Sequence, residues 1–308
     1  MIHFFNLIRW KNLGLIVLVQ VLIKYALLLP FYDSHGVVTS LSDLAFYLLV
    51  ISTVCIAAAG YIINDIYDVE ADKINRPNDI IINTHISEKK ALNLFTVLNI
   101  IGVGLGFYLS NGIGKSGFFA IFLTVSILLY LYASYLKRIL LVGNIVVCLL
   151  VSLSIILVGI FELLPAIDQT NRNVQITFFK IILDYSIFAF ILNFVREIIK
   201  DIEDVDGDYK IGAQTVPIVL GRERANKIVF ALSLIPIAVV TFYVTNYLFK
   251  QIEVVSYFLI LVIGPLIYVS IKLFMAQDKK HYKHISSVIK FVMLTGLVSI
   301  ALFPLILK

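Results

Sequence analysis

Two segments of this sequence repeat one spacing of carboxylates. Asn64-Asp65-Ile66-Tyr67-Asp68-Val69-Glu70-Ala71-Asp72 contains D-x-x-D-x-x-x-D, and so does Asp201-Ile202-Glu203-Asp204-Val205-Asp206-Gly207-Asp208. On a helix, offsets of 0, +3 and +7 fall within an arc of about 60°. The triads Asp65/Asp68/Asp72 and Asp201/Asp204/Asp208 would therefore each present one acidic face. A single triad reads as solvated charge at a helix end; two of identical spacing on one side of a membrane argue against that. Glu70, Glu203 and Asp206 lie off the repeated spacing and are expected to be surface charge.

Clustered carboxylates repel and raise one another's pKa, so they need cations. Mg²⁺ is a hard ion that bridges one or two carboxylates to substrate phosphates. Side-chain cations for the phosphates themselves are at hand. Arg76 follows Asp72 by four residues, Arg196 and Lys200 precede Asp204 at four-residue steps, and Lys137-Arg138 lie in a short connection. A diphosphate so held at the mouth of an apolar bundle suggests a lipid diphosphate with its tail in the membrane. The matching chemistry is ionisation of an allylic diphosphate, with metal and guanidinium neutralising the leaving pyrophosphate. Aromatic faces can steady the allylic cation. Tyr61, Tyr67, Tyr130, Tyr132, Tyr135 and Phe194 lie near the relevant ends, though in so aromatic a chain packing is the commoner role.

The elements that must position these groups follow from composition. The chain has 308 residues, 60% hydrophobic and only 15% charged, with mean hydropathy +0.96. Soluble domains carry about 25% charged residues, so no sizeable water-facing domain is expected. Spanning a bilayer takes about 20 apolar residues. Nine stretches qualify: 13–32, 43–66, 91–110, 117–136, 140–161, 177–196, 225–249, 254–274 and 285–307. The expectation is an all-α, polytopic bundle forming a single domain over 1–308. The fourth and fifth spans make a tight hairpin, and polar loops occupy 67–90 and 197–224. The first span reads as uncleaved.

With the N-terminus in the cytoplasm, 19 of the 25 Lys and Arg fall on the cytoplasmic side. Lys24, Lys115, Arg172, Lys180, Lys250 and Lys308 fall elsewhere. Both acidic motifs then face the cytoplasm, in a multi-pass protein of the cell (plasma) membrane. The net charge of +5 sits in short loops, which fits membrane topology rather than nucleic acid. Cys55 and Cys148 read as small buried hydrophobes, leaving no disulfide framework or zinc site. Nothing points to an obligate protein partner.

At these residues the chain resembles the UbiA superfamily of intramembrane prenyltransferases. Its first motif is similar to that family's N-D-x-x-D-x-x-x-D, Tyr132 to Arg138 to its Tyr…Lys segment, and the nine-span layout matches throughout. The tract from Arg196 to Ile218 resembles the digeranylgeranylglyceryl phosphate synthase branch. The resemblance implies transfer of a geranylgeranyl group to geranylgeranylglyceryl phosphate, in ether-lipid biosynthesis. It implies Mg²⁺ at Asn64, Asp68, Asp72, Asp204 and Asp208, with Asp65 and Asp201 nearby. Diphosphate or phosphate binding would fall to Asn64, Arg76, Lys137, Arg138, Arg196 and Lys200. One departure stands out. After Asn75-Arg76-Pro77 the family runs on through a second Arg-Pro and a Pro-Ser-Gly turn, whereas this chain continues Asn78-Asp79-Ile80-Ile81-Ile82-Asn83-Thr84-His85-Ile86-Ser87.

Other residues have readings of their own. Lys24, which shares a face with Gln20, is open between a role in function and snorkelling to the outer interface. Asp184 and Lys180 suggest an internal ion pair. His281 and His284 read as part of a solvated basic loop. Among rival functions, a CDP-alcohol phosphotransferase needs Asp-Gly-x-x-Ala-Arg, and Asp206-Gly207 does not continue that way. A divalent-cation transporter should carry ionisable groups near mid-membrane, while these triads lie at the rim. Within the prenyltransferases, dihydroxynaphthoate or 4-hydroxybenzoate is the alternative acceptor.

Overall fold

The computed structural model describes residues 2–307. Among them, nine helices are long and apolar enough to cross a membrane. They are α1 (Trp10–His35), α2 (Asp43–Asn75), α3 (Glu88–Gly112), α4 (Ser116–Ser134), α5 (Val142–Ala166), α6 (Arg172–Lys210), α7 (Arg222–Leu248), α8 (Ile252–Phe274) and α9 (Lys279–Ile306). Each coincides with one expected span. Lys308 lies outside the described residues.

The two polar loops begin later than expected, because α2 and α6 run straight through the motifs. No proline interrupts α2 before Pro77, and Arg76 leaves the helix with φ −146° as the residue before proline must. Helix α6 continues through Gly207 to Lys210, and Gly212 then adopts the left-handed conformation with φ +70°. At 1.5 Å per residue these helices are about 50 and 58 Å long, against a hydrocarbon core of about 30 Å. The motif turns are therefore helical, so the shared-face geometry applies to both triads.

These two helices sit at the centre of the bundle. Helix α2 packs against α1, α3, α4 and α6, while α6 packs against α2, α5, α7 and α9. One buried apolar core lies among α1–α6 and the end of α9, and a second runs from α6 through α9. The α4–α5 hairpin turns through a 3₁₀ segment, Leu136–Arg138. Gly143 permits its closure, since a Cβ there would stand 2.6 Å from the Lys137 Cα.

The isoleucine-rich loop after Pro77 is held by burial in place of prolines. Ile82 is buried with Leu7, Ile62 and Ala91, and Ile81 and Ile86 pack around them. His85 stacks on His3 of a short N-terminal helix, Ile2–Leu7, with ring centroids 3.7 Å apart.

The polar residues within the spans sort differently from one another. Lys24 is 1% exposed and does not snorkel: its Nζ donates to Glu162 Oε1 and to the Leu41 carbonyl, both at 2.8 Å. Lys180 and Asp184 form no ion pair and both side chains are exposed. The basic residue precedes the acid at i,i+4, which is the weaker orientation on a helix. His281 and His284 are exposed, as expected, but on the first turns of α9 and not in a loop. Cys55 and Cys148 are free thiols, half-buried and buried.

Candidate active site

A cavity of about 510 Å³ opens beside the two motifs and descends between the helices. Its rim gathers Asn64, Asp68 and Asp72 from α2 with Asp201, Asp204 and Asp208 from α6. Arg76, Lys137, Arg138, Arg196 and Lys200 line the same rim. Below it the wall turns apolar, with Ile56, Leu129, Leu157 and Ala189 among the lining. Charged groups at one end and hydrocarbon at the other suit an amphiphile with an anionic head.

The rim is cross-braced. Lys137 Nζ donates to Asp68 Oδ1 at 2.5 Å and to Asn64 Oδ1 at 3.3 Å, while Asn64 Nδ2 donates to Asp68 Oδ2 at 2.6 Å. Across the cavity Arg76 Nη2 donates to Asp204 Oδ2 at 2.5 Å. Asn75 joins the motif helices directly, donating to the Asp204 carbonyl at 2.9 Å and accepting from the Gly207 amide at 3.0 Å. Asp201 accepts from Asn144 of α5 at 2.9 Å. Glu197 is buried between two cations, with Arg196 Nη1 at 2.9 Å and Lys200 Nζ at 3.4 Å. After α6, the Gln214 amide donates to the Arg138 carbonyl at 2.9 Å, tying the hairpin to the second motif.

Several polar atoms at this rim are buried without any hydrogen-bond partner among the described residues: Asp204 Oδ1, Arg138 Nε, Arg196 Nε and Thr215 Oγ1. Buried polar atoms ordinarily find partners. Their concentration in one cavity marks a place prepared for a ligand. Asp72 and Asp208 likewise have no ion-pair partner among the described residues. These oxygens fit a hard divalent cation. No three acidic, imidazole or thiol groups among the described residues converge as a ready cage, which suits an ion whose remaining ligands are substrate phosphates and water.

The UbiA prenyltransferase family model matches residues 26–302. The chain belongs to that family. It is a multi-pass membrane prenyltransferase. Two relatives are named digeranylgeranylglyceryl phosphate synthase. One, from Korarchaeum cryptofilum, is 32% identical over 272 residues, covering 86% of this chain and 88% of its own length. The other, from Methanosphaera stadtmanae, is 33% identical over 263 residues, covering 83% and 88%. Among solved structures, a digeranylgeranylglyceryl phosphate synthase superposes with TM-score 0.63 at 21% identity, covering 97% of this chain and 98% of the other. A UbiA homologue from Archaeoglobus fulgidus bound to GPP and Mg²⁺ superposes with TM-score 0.57 at 15% identity, covering 97% and 99%. These structures share the fold.

Within this UbiA-family prenyltransferase, the expected site residues converge with one exception. Asp65 does not line the cavity; its Oδ1 accepts from Arg9 Nη2 at 2.8 Å. Burial works against the charge of Arg9, but Asp65, together with Tyr61 and Asp68, more than offsets it and the guanidinium pKa is raised. Arg9 itself lines the cavity and lies over the Tyr61 ring at 5.1 Å. Glu203, expected on the surface, is 8% exposed. The reason is that α6 is packed on several sides, so an off-phase residue faces a neighbouring helix and not water. Glu70 and Asp206 are exposed as expected, paired with Lys73 and Arg222. Of the aromatic residues, Tyr61 and Tyr132 reach the cavity, whereas Tyr67 and Tyr130 pair with each other outside it.

Sequence reasoning missed Arg9, Asn75, Asn144, Glu197 and Thr215. Asn75 and Glu197 adjoin expected residues, so a wider reading of each motif could have found them. Arg9 and Asn144 carry no local signal, because their partners are 56 and 57 residues away.

Proposed function

We propose that this prenyltransferase transfers a geranylgeranyl group from its diphosphate to the free hydroxyl of geranylgeranylglyceryl phosphate, using Mg²⁺. The whole chain, 1–308, acts as one catalytic domain, with the motif rim at the cytoplasmic face of the plasma membrane. The excess of Lys and Arg at that end supports the orientation.

The observation that carries the reading is the surplus of cations at the rim. Lys137 and Arg76 are engaged by motif aspartates. Arg196 and Lys200 share a single counter-ion, Glu197, and Arg138 has none among the described residues, while Arg138 and Arg196 each retain an unpartnered buried Nε. A prenyl diphosphate alone does not require so many, and a phosphorylated acceptor brings a second anion to the same mouth. The names of the relatives from Korarchaeum cryptofilum and Methanosphaera stadtmanae support this acceptor. Solved UbiA homologues bound to GPP with Mg²⁺ and to Cd²⁺ support a divalent ion.

Asp72, Asp208 and Asp204 Oδ1 would hold the ion, which when bound neutralises charge on the leaving pyrophosphate. Arg76 and Lys137 orient the motif carboxylates and add positive charge beside the same oxygens. The apolar wall below excludes water from the allylic carbon, and the Tyr61 and Tyr132 rings offer cation–π stabilisation there. The allylic C–O bond breaks, a C–O bond to the acceptor oxygen forms, and pyrophosphate and the hydroxyl proton leave. Arg138, Arg196 and Lys200 hold the acceptor phosphate.

The test is purified protein with geranylgeranyl diphosphate, Mg²⁺ and a panel of acceptors, with products identified by mass. The digeranylgeranyl ether phosphate is expected. Prenylation of dihydroxynaphthoate or 4-hydroxybenzoate, with none of the glyceryl phosphate, overturns the acceptor and leaves the family membership intact.

A further inference from the structure

The cavity that receives the tail has a definite floor. Counted along the helices from the motif end, its last lining residues include Val19 on α1, Thr53 on α2, Ile121 and Phe122 on α4 and Leu157 on α5. One turn further out, Leu49 and Phe161 are fully buried in the core and line nothing. On α2 the floor lies 15 residues from Asp68 and 19 from Asp72, which would help hold the ion. At 1.5 Å per residue that is roughly 22 to 28 Å, which leaves roughly 16 to 22 Å below a diphosphate head about 6 Å long. An extended prenyl chain of four isoprene units spans roughly 19 Å from ordinary carbon–carbon bond lengths, three units roughly 14 Å and five roughly 24 Å. Four units match the depth.

Phe122 is the large rigid group at this floor. It is 2% exposed to solvent and its ring meets that of Phe161 edge-on at 5.5 Å. Behind it stands Gly106 of α3, packed so closely that a Cβ there would stand 2.3 Å from the Phe122 Cγ. The ring thus lies between the α3 backbone and the cavity.

We propose that Phe122, seated on Gly106, is the gauge that sets the longest prenyl chain this enzyme accepts. It rests on the reading of the cavity as a prenyl diphosphate site. Truncating Phe122 deepens the cavity. A methyl group at Gly106 pushes the ring inward and shortens it. The two changes therefore shift chain-length preference in opposite directions, which a merely structural role would not do.

The experiment measures binding of three-, four- and five-unit prenyl diphosphates to purified protein with Mg²⁺ and no acceptor. Wild type should prefer four units. Phe122→Ala should raise five-unit affinity relative to four-unit by about tenfold, and Gly106→Ala should raise three-unit affinity relative to four-unit by a similar factor. Phe122→Leu takes the place of Phe122→Ala if the latter does not yield folded protein. Length preference unmoved in both folded variants overturns the gauge and spares the proposed function. A wild-type protein that binds no prenyl diphosphate overturns both.

Discussion

Asn75 and Gly207 lock the two acidic helices together where their motifs cross. The Gly207 amide donates to Asn75 Oδ1 at 3.0 Å, and a Cβ on Gly207 would stand 2.6 Å from the Ala71 carbonyl oxygen. The absence of a side chain at Gly207 lets the helices approach, and the Asn75 amide fixes their register. Gly207→Ala should force them apart and lower turnover by about 10²-fold, the scale of a 1 Å misplacement. Asn75→Ala should act in the same direction. Turnover within twofold of wild type in both variants would show that the crossing does not position the site.

Activity should require a divalent cation. Asp72, Asp208 and Asp204 Oδ1 have no partnering cation among the described residues, and a diphosphate adds more negative charge to the same rim. Treatment with EDTA should abolish transfer and added Mg²⁺ should restore it. Undiminished transfer in metal-free buffer contradicts the mechanism.

Asp68→Ala and Asp204→Ala should each lower turnover by roughly 10²-fold or more, as for loss of one transition-state electrostatic contact. Glu70→Ala and Asp206→Ala should be nearly silent, since both side chains are exposed and bound to surface cations. Asp65→Ala should fall between, because Asp65 acts on the rim only through Arg9. Steady-state kinetics on the five variants measures the ranking, and equal losses at Glu70 and Asp68 would falsify the face assignment.

Charge reversal at the rim cations that no motif aspartate engages should separate the substrates. Lys200→Glu and Arg138→Glu are expected to raise KM for the phosphorylated acceptor more than KM for the prenyl diphosphate. The measurement is a two-substrate kinetic matrix. A larger effect on the diphosphate reassigns these side chains to the donor.

Lys24 and Glu162 make a stability prediction at the opposite end of the bundle. Both are essentially fully buried, and removing one partner of such a pair costs about 3–5 kcal/mol. Lys24→Met should lower the unfolding midpoint in detergent. Adding Glu162→Gln should recover part of the loss, because the uncharged amide still accepts from the Leu41 amide that Glu162 Oε2 serves at 3.1 Å. No recovery in the double variant argues against an uncompensated charge as the cause.

The spans were legible because hydropathy is a property of contiguous residues, and the nine stretches need no knowledge of their neighbours. The shared faces of the triads were legible for a similar reason, since helical phase is local. What escaped was set by packing. Whether α2 would continue to Asn75 was not visible in the polar sequence after Ile66. That Glu203 is buried and Lys24 internally paired depends on which helix stands opposite. Arg9 looked like topology charge until Asp65 was beside it.

The length of α2 and α6 bears on how substrate reaches the catalyst. Because the acidic turns stand beyond the hydrocarbon while the apolar wall continues beneath them, head and tail of a lipid diphosphate meet surroundings like those they already occupy. Lifting a 20-carbon chain into water would cost roughly 16 kcal/mol at about 0.8 kcal/mol per buried carbon. Loading from the plane of the bilayer avoids that barrier. The relevant concentration is then the mole fraction of prenyl diphosphate in the surrounding lipid. Adding inert lipid at constant bulk substrate should slow the reaction by surface dilution alone.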